Sequence, residues 1–310
     1  MSAILNKPPL AAPSAISAGS GQPVATSVPA SKASGAASVP AKLVVISEEN
    51  YKYMQHEIYR QSGIVLDDDK HYLLESRLMP VARAAKLANL DELCARLRIG
   101  SDPALQQKVI EALTTNETLF FRDIAPFDAL RQRLIPELLA KRSPKITIWS
   151  AASSSGQEAY SIAMLLKELG TDRPVEILGT DLSEQILDRA REGKYVQFEV
   201  NRGLPAPYLV KYFRREGLDW QLKDEIRSMV KFRRFDLRQP MAGLGKFDIV
   251  FCRNVLIYFD VKTKIEILNQ ILSVLNPGGY LILGGAETTL NLQGSFERVP
   301  IGTTAAYRKT

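Results

Sequence analysis

The residues best suited to chemistry stand at the ends of apolar runs. Lys145 to Leu166 reads KITIWSAASSSGQEAYSIAMLL. Its alternating, β-branched start reads as a strand entering a core. Ser150 to Gly156 is a run of small residues that extends neither a strand nor a helix regularly. Glu158 to Leu166 then sets Ile162, Ala163, Leu165 and Leu166 at helical spacing. Strand, small-residue turn and helix open nucleotide-binding α/β units, where backbone can approach a ligand and the helix N-terminus offers unpaired N–H groups. The turn has Gly156 alone in place of G-x-G-x-x-G, and no P-loop lysine follows. A pyrophosphate ligand is therefore disfavoured. A smaller nucleoside-bearing cofactor stays open, as does an ordinary βα connection.

Three further stretches offer functional groups. Val175 to Asp181, VEILGTD, is an apolar strand ending in an acid, which could accept ribose hydroxyls or belong to the N-cap region of a helix over Glu184–Glu192. Phe247 to Asp260, FDIVFCRNVLIYFD, is an apolar strand stopping at Arg253-Asn254, at the carboxyl end where open α/β sheets bind ligands, and it carries one phenol, Tyr258. Leu113 to Asp123, LTTNETLFFRD, runs from polar residues into Phe120, Phe121 and Arg122. It reads either as a ligand loop between domains or as a capped start to a helix over 124–142 with the phenylalanines as core anchors. Only two histidines occur, His56 and His71, and both precede these stretches. No imidazole base is available near them, so the chemistry should need none.

The elements that must position these groups follow from the rest of the chain. A length of 310 residues suits about two domains. No apolar run reaches membrane-span length. Cys94 and Cys252 lie far apart, with no metal-ligand spacing and no disulfide framework, which fits a reducing, cytoplasmic setting. The net charge of +6 favours acidic partners without naming one. Residues 1–42, rich in Ala, Ser, Pro and Gly and lacking acids and aromatics, read as a disordered tail without a signal-peptide core.

Residues 43–115 read as a small all-α domain. Its first helix is capped by Ser47, carries Tyr51, Met54 and Ile58 on one face, and stops at Gly63. A second starts near Asp68 and should kink or break at Pro80. A third spans about Asp91–Leu97, and Asp102-Pro103 starts a fourth. Arg77, Arg83, Lys86, Arg96 and Arg98 make these helices basic, either as a solvated face or as a docking surface for an acidic partner. After a linker and helix over 116–144, the α/β domain runs over 145–310. The βα alternation breaks at Gly193–Arg234, read as an inserted antiparallel subdomain of about 195–232, with a helix at Ala206–Arg214 and two strands flanking a turn near Lys223-Asp224. Val230–Asp236 is a strand ending at Asp236-Leu237. Asn276-Pro-Gly-Gly279 is a turn before a strand at Tyr280–Gly284, and Phe296–Lys309 can close the sheet as a hairpin.

Together, TTNETLFFRD, IWSAASSSGQEAYSIAMLL, EILGTDLSEQILDRAREGKY, FDIVFCRNVLIYFD and LNPGGYLIL resemble the chemotaxis protein methyltransferases of the CheR type, in the same order and at similar spacing from about Ser47 onward. The resemblance implies a Rossmann-like class I methyltransferase sheet with an inserted antiparallel subdomain, preceded by a small all-α domain. It implies methyl transfer from S-adenosyl-L-methionine to glutamate side chains of chemoreceptors, with S-adenosyl-L-homocysteine as product and no metal. It sets Asn116, Thr118, Arg122, Glu158, Asp181, Asp236, Leu237, Arg253 and Asn254 as cofactor-binding residues, and Arg122 and Tyr258 as catalytic ones. Asp236 and Leu237 would touch adenine. The expected partner is the cytoplasmic helical domain of chemoreceptors, met through the basic helical domain by a cytoplasmic monomer that neither binds nucleic acid nor inserts in a membrane. Two departures stand out: SSSGQEAY replaces the family's S-T-G-E-E-P-Y, and the hairpin of the inserted subdomain reads short.

The chemistry agrees. A carboxylate is already ionised at neutral pH, so its methylation requires alignment rather than a base, and alignment can supply roughly 7–11 kcal/mol of a barrier in the best cases. The rivals are an RNA or small-molecule methyltransferase on the same fold, and a non-catalytic methyltransferase-like binding module.

Overall fold

The computed structural model describes residues 46–141, 144–289 and 294–310. The tail read over 1–42 lies outside them. The first described elements are four helices, α1 (Glu48–Ser62), α2 (His71–Ala84), α3 (Leu90–Ile99) and α4 (Pro103–Leu113). Three of their starts are set by side-chain caps: Ser47 Oγ accepts from Asn50 N, Asn89 Oδ1 from Glu92 N and Asp102 Oδ1 from Leu105 N, whereas α2 starts without one. Gly63, in left-handed geometry, ends α1. The apolar stripes meet in one core around Tyr51, Met54, Ile58, Leu74, Leu78, Leu93 and Val109. Of the kink or break expected at Pro80, the break does not occur, since α2 runs on to Ala84. Pro80 lies on the exposed side, where water can take the carbonyl its ring leaves unpaired, while Leu74, Leu78 and Ala82 stay buried opposite.

A helical segment follows in three parts: α5 (Ala125–Ala129), a π turn over Leu130–Leu134, and α6 (Ile135–Ala140). Ile135 N donates to Leu130 O, five residues back. Pro136, next in line, has no N–H to continue the α pattern, which accounts for the wider turn.

The remaining chain forms β1 (Ile146–Ala151), α7 (Gln157–Leu169), β2 (Val175–Asp181), α8 (Glu184–Glu192), β3 (Lys194–Val196), α9 (Gln197–Asn201), α10 (Ala206–Tyr212), β4 (Phe213–Glu216), β5 (Asp219–Leu222), α11 (Asp224–Arg227), β6 (Val230–Arg234), β7 (Phe247–Cys252), α12 (Val261–Val274), β8 (Leu275–Leu283), β9 (Phe296–Ile301) and β10 (Thr304–Lys309). The main sheet has the order β6-β2-β1-β7-β8-β10-β9. The first five strands are parallel, and β10 and β9 close the edge as the antiparallel hairpin expected from the sequence. β1 and β7 are buried at every residue, which explains their nearly unbroken apolar runs. One buried cluster includes Ile148, Ile162 and Phe251 and a second includes Trp149, Val250 and Ile267; neighbouring residues of β1 and β7 fall in different clusters, so the sheet is covered on both faces.

The strand order reverses between β1 and β7, the kind of switch point where open α/β sheets bind ligands. The carboxyl ends of β1, β2 and β7 therefore define the site.

The interruption after β2 is a separate antiparallel sheet, β3-β5-β4. Its hairpin turn is not at Lys223-Asp224. Glu216 pairs with Asp219, so the turn is Gly217-Leu218, and Lys223-Asp224 instead opens α11. Gly217 takes φ +61°, which suits a two-residue hairpin loop. Nor does Asn276–Gly279 separate α12 from a later strand. Leu275 already pairs with Phe247, and Tyr280 pairs with Ile249, so the four turn residues are an excursion inside β8.

Candidate active site

The turn from β1 to α7 folds tightly because Ala152, Ser154 and Gly156 all adopt positive φ. Such conformations cost energy in non-glycine residues and gather at functional sites. The turn is tied to the end of β2. Ser153 N donates to Thr180 O, and Ser154 N donates to Asp181 Oδ2 at 2.9 Å. Asp181 Oδ1 accepts from Ser183 N at 3.1 Å. The cap of α8 is Ser183, whose Oγ accepts from Ile186 N, so Asp181 is not needed for that task. Burial raises the pKa of Asp181 above the ordinary aspartate value, against the opposing pull of the amides that donate to it. Each oxygen has accepted one amide and retains acceptor capacity.

Arg253, just past β7, is the hub of the site. Its side chain is 2% exposed. One terminal nitrogen donates to Glu158 Oε2 at 2.9 Å. The other donates to Asp123 Oδ2 at 2.8 Å and to the Arg122 carbonyl at 2.9 Å. Glu158 Oε1 accepts from Ser150 Oγ at 2.8 Å, so both its oxygens are engaged. This charge cluster, buried at Arg253 and Glu158 and exposed at Asp123, joins β1, α7, β7 and the loop before α5. The Nε–H of Arg253 is buried without a hydrogen-bond partner among the described residues. A buried donor left unpaired is costly and points to a partner outside the chain.

The loop before α5 keeps part of each sequence reading: its phenylalanines are anchors, but α5 follows Ile124 without a side-chain cap. Phe120 and Phe121 are core anchors. Phe120 meets the rings of Tyr195 and Phe213 edge-on at 5.0 and 5.7 Å, and Phe121 stacks on Tyr208 at 5.2 Å. These contacts seat the loop on the inserted subdomain. Asn116, Thr118 and Arg122 instead line a cleft. Arg122 makes one hydrogen bond, to the Glu117 carbonyl at 3.3 Å, and has no ion pair among the described residues.

The cleft is also lined by Asp236, Leu237 and Tyr258, together with Ser62 at the end of α1 and Ile64 just after it. The Asp236 carboxylate is gripped by Arg238 at 2.6 Å. The same guanidinium donates to the carbonyls of Tyr59, Arg60 and Gln61 at the end of α1. Val65 N donates to the Tyr258 carbonyl at 2.9 Å. The helical domain therefore builds one side of the cleft.

Every site residue named from the sequence, Asn116, Thr118, Arg122, Glu158, Asp181, Asp236, Leu237, Arg253, Asn254 and Tyr258, lines this single cleft. Sequence reasoning missed Ser62, Ile64 and Phe235 on its walls, and a buried acid behind it, Glu287, whose oxygens accept from the amides of Gly284, Asn254, Val255 and Leu256. Its only sequence signal is an acid directly after the apolar run LILGGA. Of the basic helical residues, Arg77 is committed to the Leu113 and Thr114 carbonyls, and Arg96 and Arg98 pair with Asp102 and Glu49. Arg83 and Lys86 are exposed and have no ion pair among the described residues.

The arrangement can accept hydroxyl groups at Asp181 and donate to anionic groups from Arg122 and Arg253. No cleft residue is a histidine. Among the described residues, no cluster of His, Cys, Asp and Glu could hold a metal ion, and no helix is long and apolar enough to cross a membrane.

Comparison with known proteins agrees with this geometry. Residues 49–114 match the family model "CheR methyltransferase, all-alpha domain", and residues 116–305 match "CheR methyltransferase, SAM binding domain". A chemotaxis protein methyltransferase of Vibrio anguillarum is 44% identical over 263 residues, covering 83% of this chain and 95% of that protein. Chemotaxis protein methyltransferase 1 of Pseudomonas aeruginosa is 44% identical over 254 residues, covering 79% of this chain and 92% of that one. A chemotaxis protein methyltransferase of Borreliella burgdorferi is 36% identical over 241 residues, covering 74% and 85%. With both domain models matched and the expected residues gathered in one cleft, this chain belongs to the CheR methyltransferase family.

Proposed function

We propose that this protein methylates glutamate side chains of chemoreceptors, using S-adenosylmethionine, in sensory adaptation. The observation that carries the reading is the convergence of an unpaired arginine, Arg122, and a phenol, Tyr258, on a cleft with a buried acceptor acid, Asp181, and no imidazole. When bound, S-adenosylmethionine supplies an electrophilic methyl group on a positively charged sulfur, and S-adenosylhomocysteine is left. Asp181 suits the ribose hydroxyls, because each of its oxygens still has acceptor capacity. The spare Nε–H of Arg253 suits a carboxylate or another acceptor of the same ligand. Asn116, Thr118, Glu158 and Asn254 shape the surrounding wall, and Asp236 and Leu237 flank the adenine.

Arg122 then holds the acceptor carboxylate through charge-assisted hydrogen bonds, and Tyr258 O–H donates beside it. No chain residue has to take a proton, since the acceptor is already anionic at neutral pH. The helical domain offers Arg83 and Lys86 to an acidic receptor helix. The chain acts as a cytoplasmic monomer and needs no metal.

The test uses methyl-tritiated cofactor and a receptor-rich membrane fraction. A glutamate methyl ester is hydrolysed by mild alkali to volatile methanol, so label should move to the vapour phase. Alkali-stable label, or label released by nuclease, overturns the reading in favour of nitrogen or nucleic-acid methylation. Absence of both transfer and cofactor binding overturns it in favour of a non-catalytic module.

A further inference from the structure

We infer that Glu287 is a positioning residue for methyl transfer: its carboxylate holds the loop that carries Arg253, Asn254 and Tyr258. The inference rests on the reading of the cleft given above. After β7 the chain must turn sharply, and Asn254 adopts φ +56° to do so. A short 3-10 turn follows over Leu256–Tyr258. The start of such a turn leaves backbone N–H groups without partners inside it. Three consecutive amides, Asn254, Val255 and Leu256, point instead at Glu287, at 2.8, 3.0 and 2.8 Å. A fourth, Gly284 N, donates to Glu287 Oε2 at 2.8 Å. Glu287 is 8% exposed. No cation is paired with it among the described residues, so these amides are what compensates its burial.

The geometry is specific to a carboxylate at this place. An ionised carboxylate is acceptor-only, with two oxygens, and here each oxygen accepts two amides. A carboxamide has one acceptor oxygen, and its NH2 group would face two donors. The backbone is also shaped for the approach: a Cβ on Gly284 would lie 2.7 Å from Glu287 Oε2 and 3.0 Å from Asn254 N. The end of β8 and the end of β7 are thus locked together at the carboxyl edge of the sheet. The loop beyond the lock places Tyr258 on the cleft wall, and the residue before it is Arg253, which holds Glu158 and the Arg122 carbonyl. A displacement of this loop would misplace both proposed catalytic groups, although Glu287 touches neither.

The experiment has two arms. In the wild-type protein, amide hydrogen exchange of Asn254, Val255 and Leu256 is measured residue by residue. Protection well above that of an open loop is expected, and exchange at the unprotected rate overturns the inference whatever the variants do. In Glu287→Gln, kcat with receptor-rich membranes, per folded molecule, should fall at least about tenfold, the scale of a lost charged hydrogen bond. KM for S-adenosylmethionine should rise by a smaller factor, with protection lost at the same three amides. Leu268→Ala, a core truncation in α12, is the control and should lower stability while leaving kcat per folded molecule unchanged. Full kcat in Glu287→Gln, or parallel losses in both variants that track stability, overturns the inference. If wild-type protein transfers no methyl while its three amides are protected, the reading of the cleft fails and the lock on the loop stands.

Discussion

Replacing Asp181 by Asn tests the cofactor side of the cleft with little change of shape. In the free protein the carboxylate accepts Ser154 N and Ser183 N, one on each oxygen. Asparagine can satisfy one of these and turns its NH2 toward the other, an unpaired-donor cost of about 1–3 kcal/mol. Against that stands relief of a buried charge, since burial already raises the Asp181 pKa. The two effects oppose each other, so the melting temperature should move by only a few degrees. Ligand binding has no such compensation. Losing charged acceptance of ribose hydroxyls should cost about 1.5–3 kcal/mol, or roughly 10- to 150-fold in Kd, measured by calorimetry. The pH dependence has a definite sign. The folded pKa lies above the unfolded one, so the folded chain holds its proton to higher pH. The stability Asp181 contributes is present below the unfolded value and lost as pH rises through the folded value. Cofactor affinity should run the other way, falling in acid as the carboxylate protonates, and this slope should vanish in Asp181→Asn. Unchanged affinity, or an unchanged acid slope, would refute a role for this carboxylate in binding.

Further expectations follow from the same geometry. Arg122→Ala should lower methyl transfer far more than stability, because the side chain makes only one long hydrogen bond to protein; a variant that unfolds or stays fully active contradicts this. Arg238→Ala should destabilise by about 2–3 kcal/mol in urea unfolding, since it breaks the Asp236 pair and the bonds to the end of α1 together; an unchanged midpoint means water replaces the latch. Burial pushes the Cys94 thiol up to about 12, so alkylation near pH 8 should require opening of the helical core; rapid labelling of the native protein contradicts the packing described.

Much of this was legible in the sequence because the relevant signals are local. The β1-turn-α7 unit shows an alternating period, then small residues, then a helical period, and the ends of β2 and β7 are marked by polar residues after apolar runs. The misses are places where distant contacts decide. Pro80 sits inside α2 because its side of the helix faces water, which no local pattern reports. The hairpin turn falls at Gly217-Leu218, between charged residues that look no different from those at Lys223-Asp224. The NPGG turn is absorbed as an excursion within β8, because pairing with β7 resumes on both sides of it. Asp236 was legible as an acid at a strand end, but not its partner Arg238 or the hold that Arg238 takes on α1. Glu287 left the faintest trace, since its partners are backbone amides 31 to 33 residues away in sequence, apart from Gly284.

The most direct measurement of the central claim is the identity of the methylated atom. Receptor incubated with this protein and S-adenosylmethionine, then digested and sequenced by tandem mass spectrometry, should carry one added methylene on particular glutamate side chains. That mass should disappear after mild alkali, and it should be absent when Arg122→Ala replaces the wild-type enzyme. Methylation on lysine, arginine or a nucleotide, or glutamate methylation at full yield with Arg122→Ala, would contradict the account.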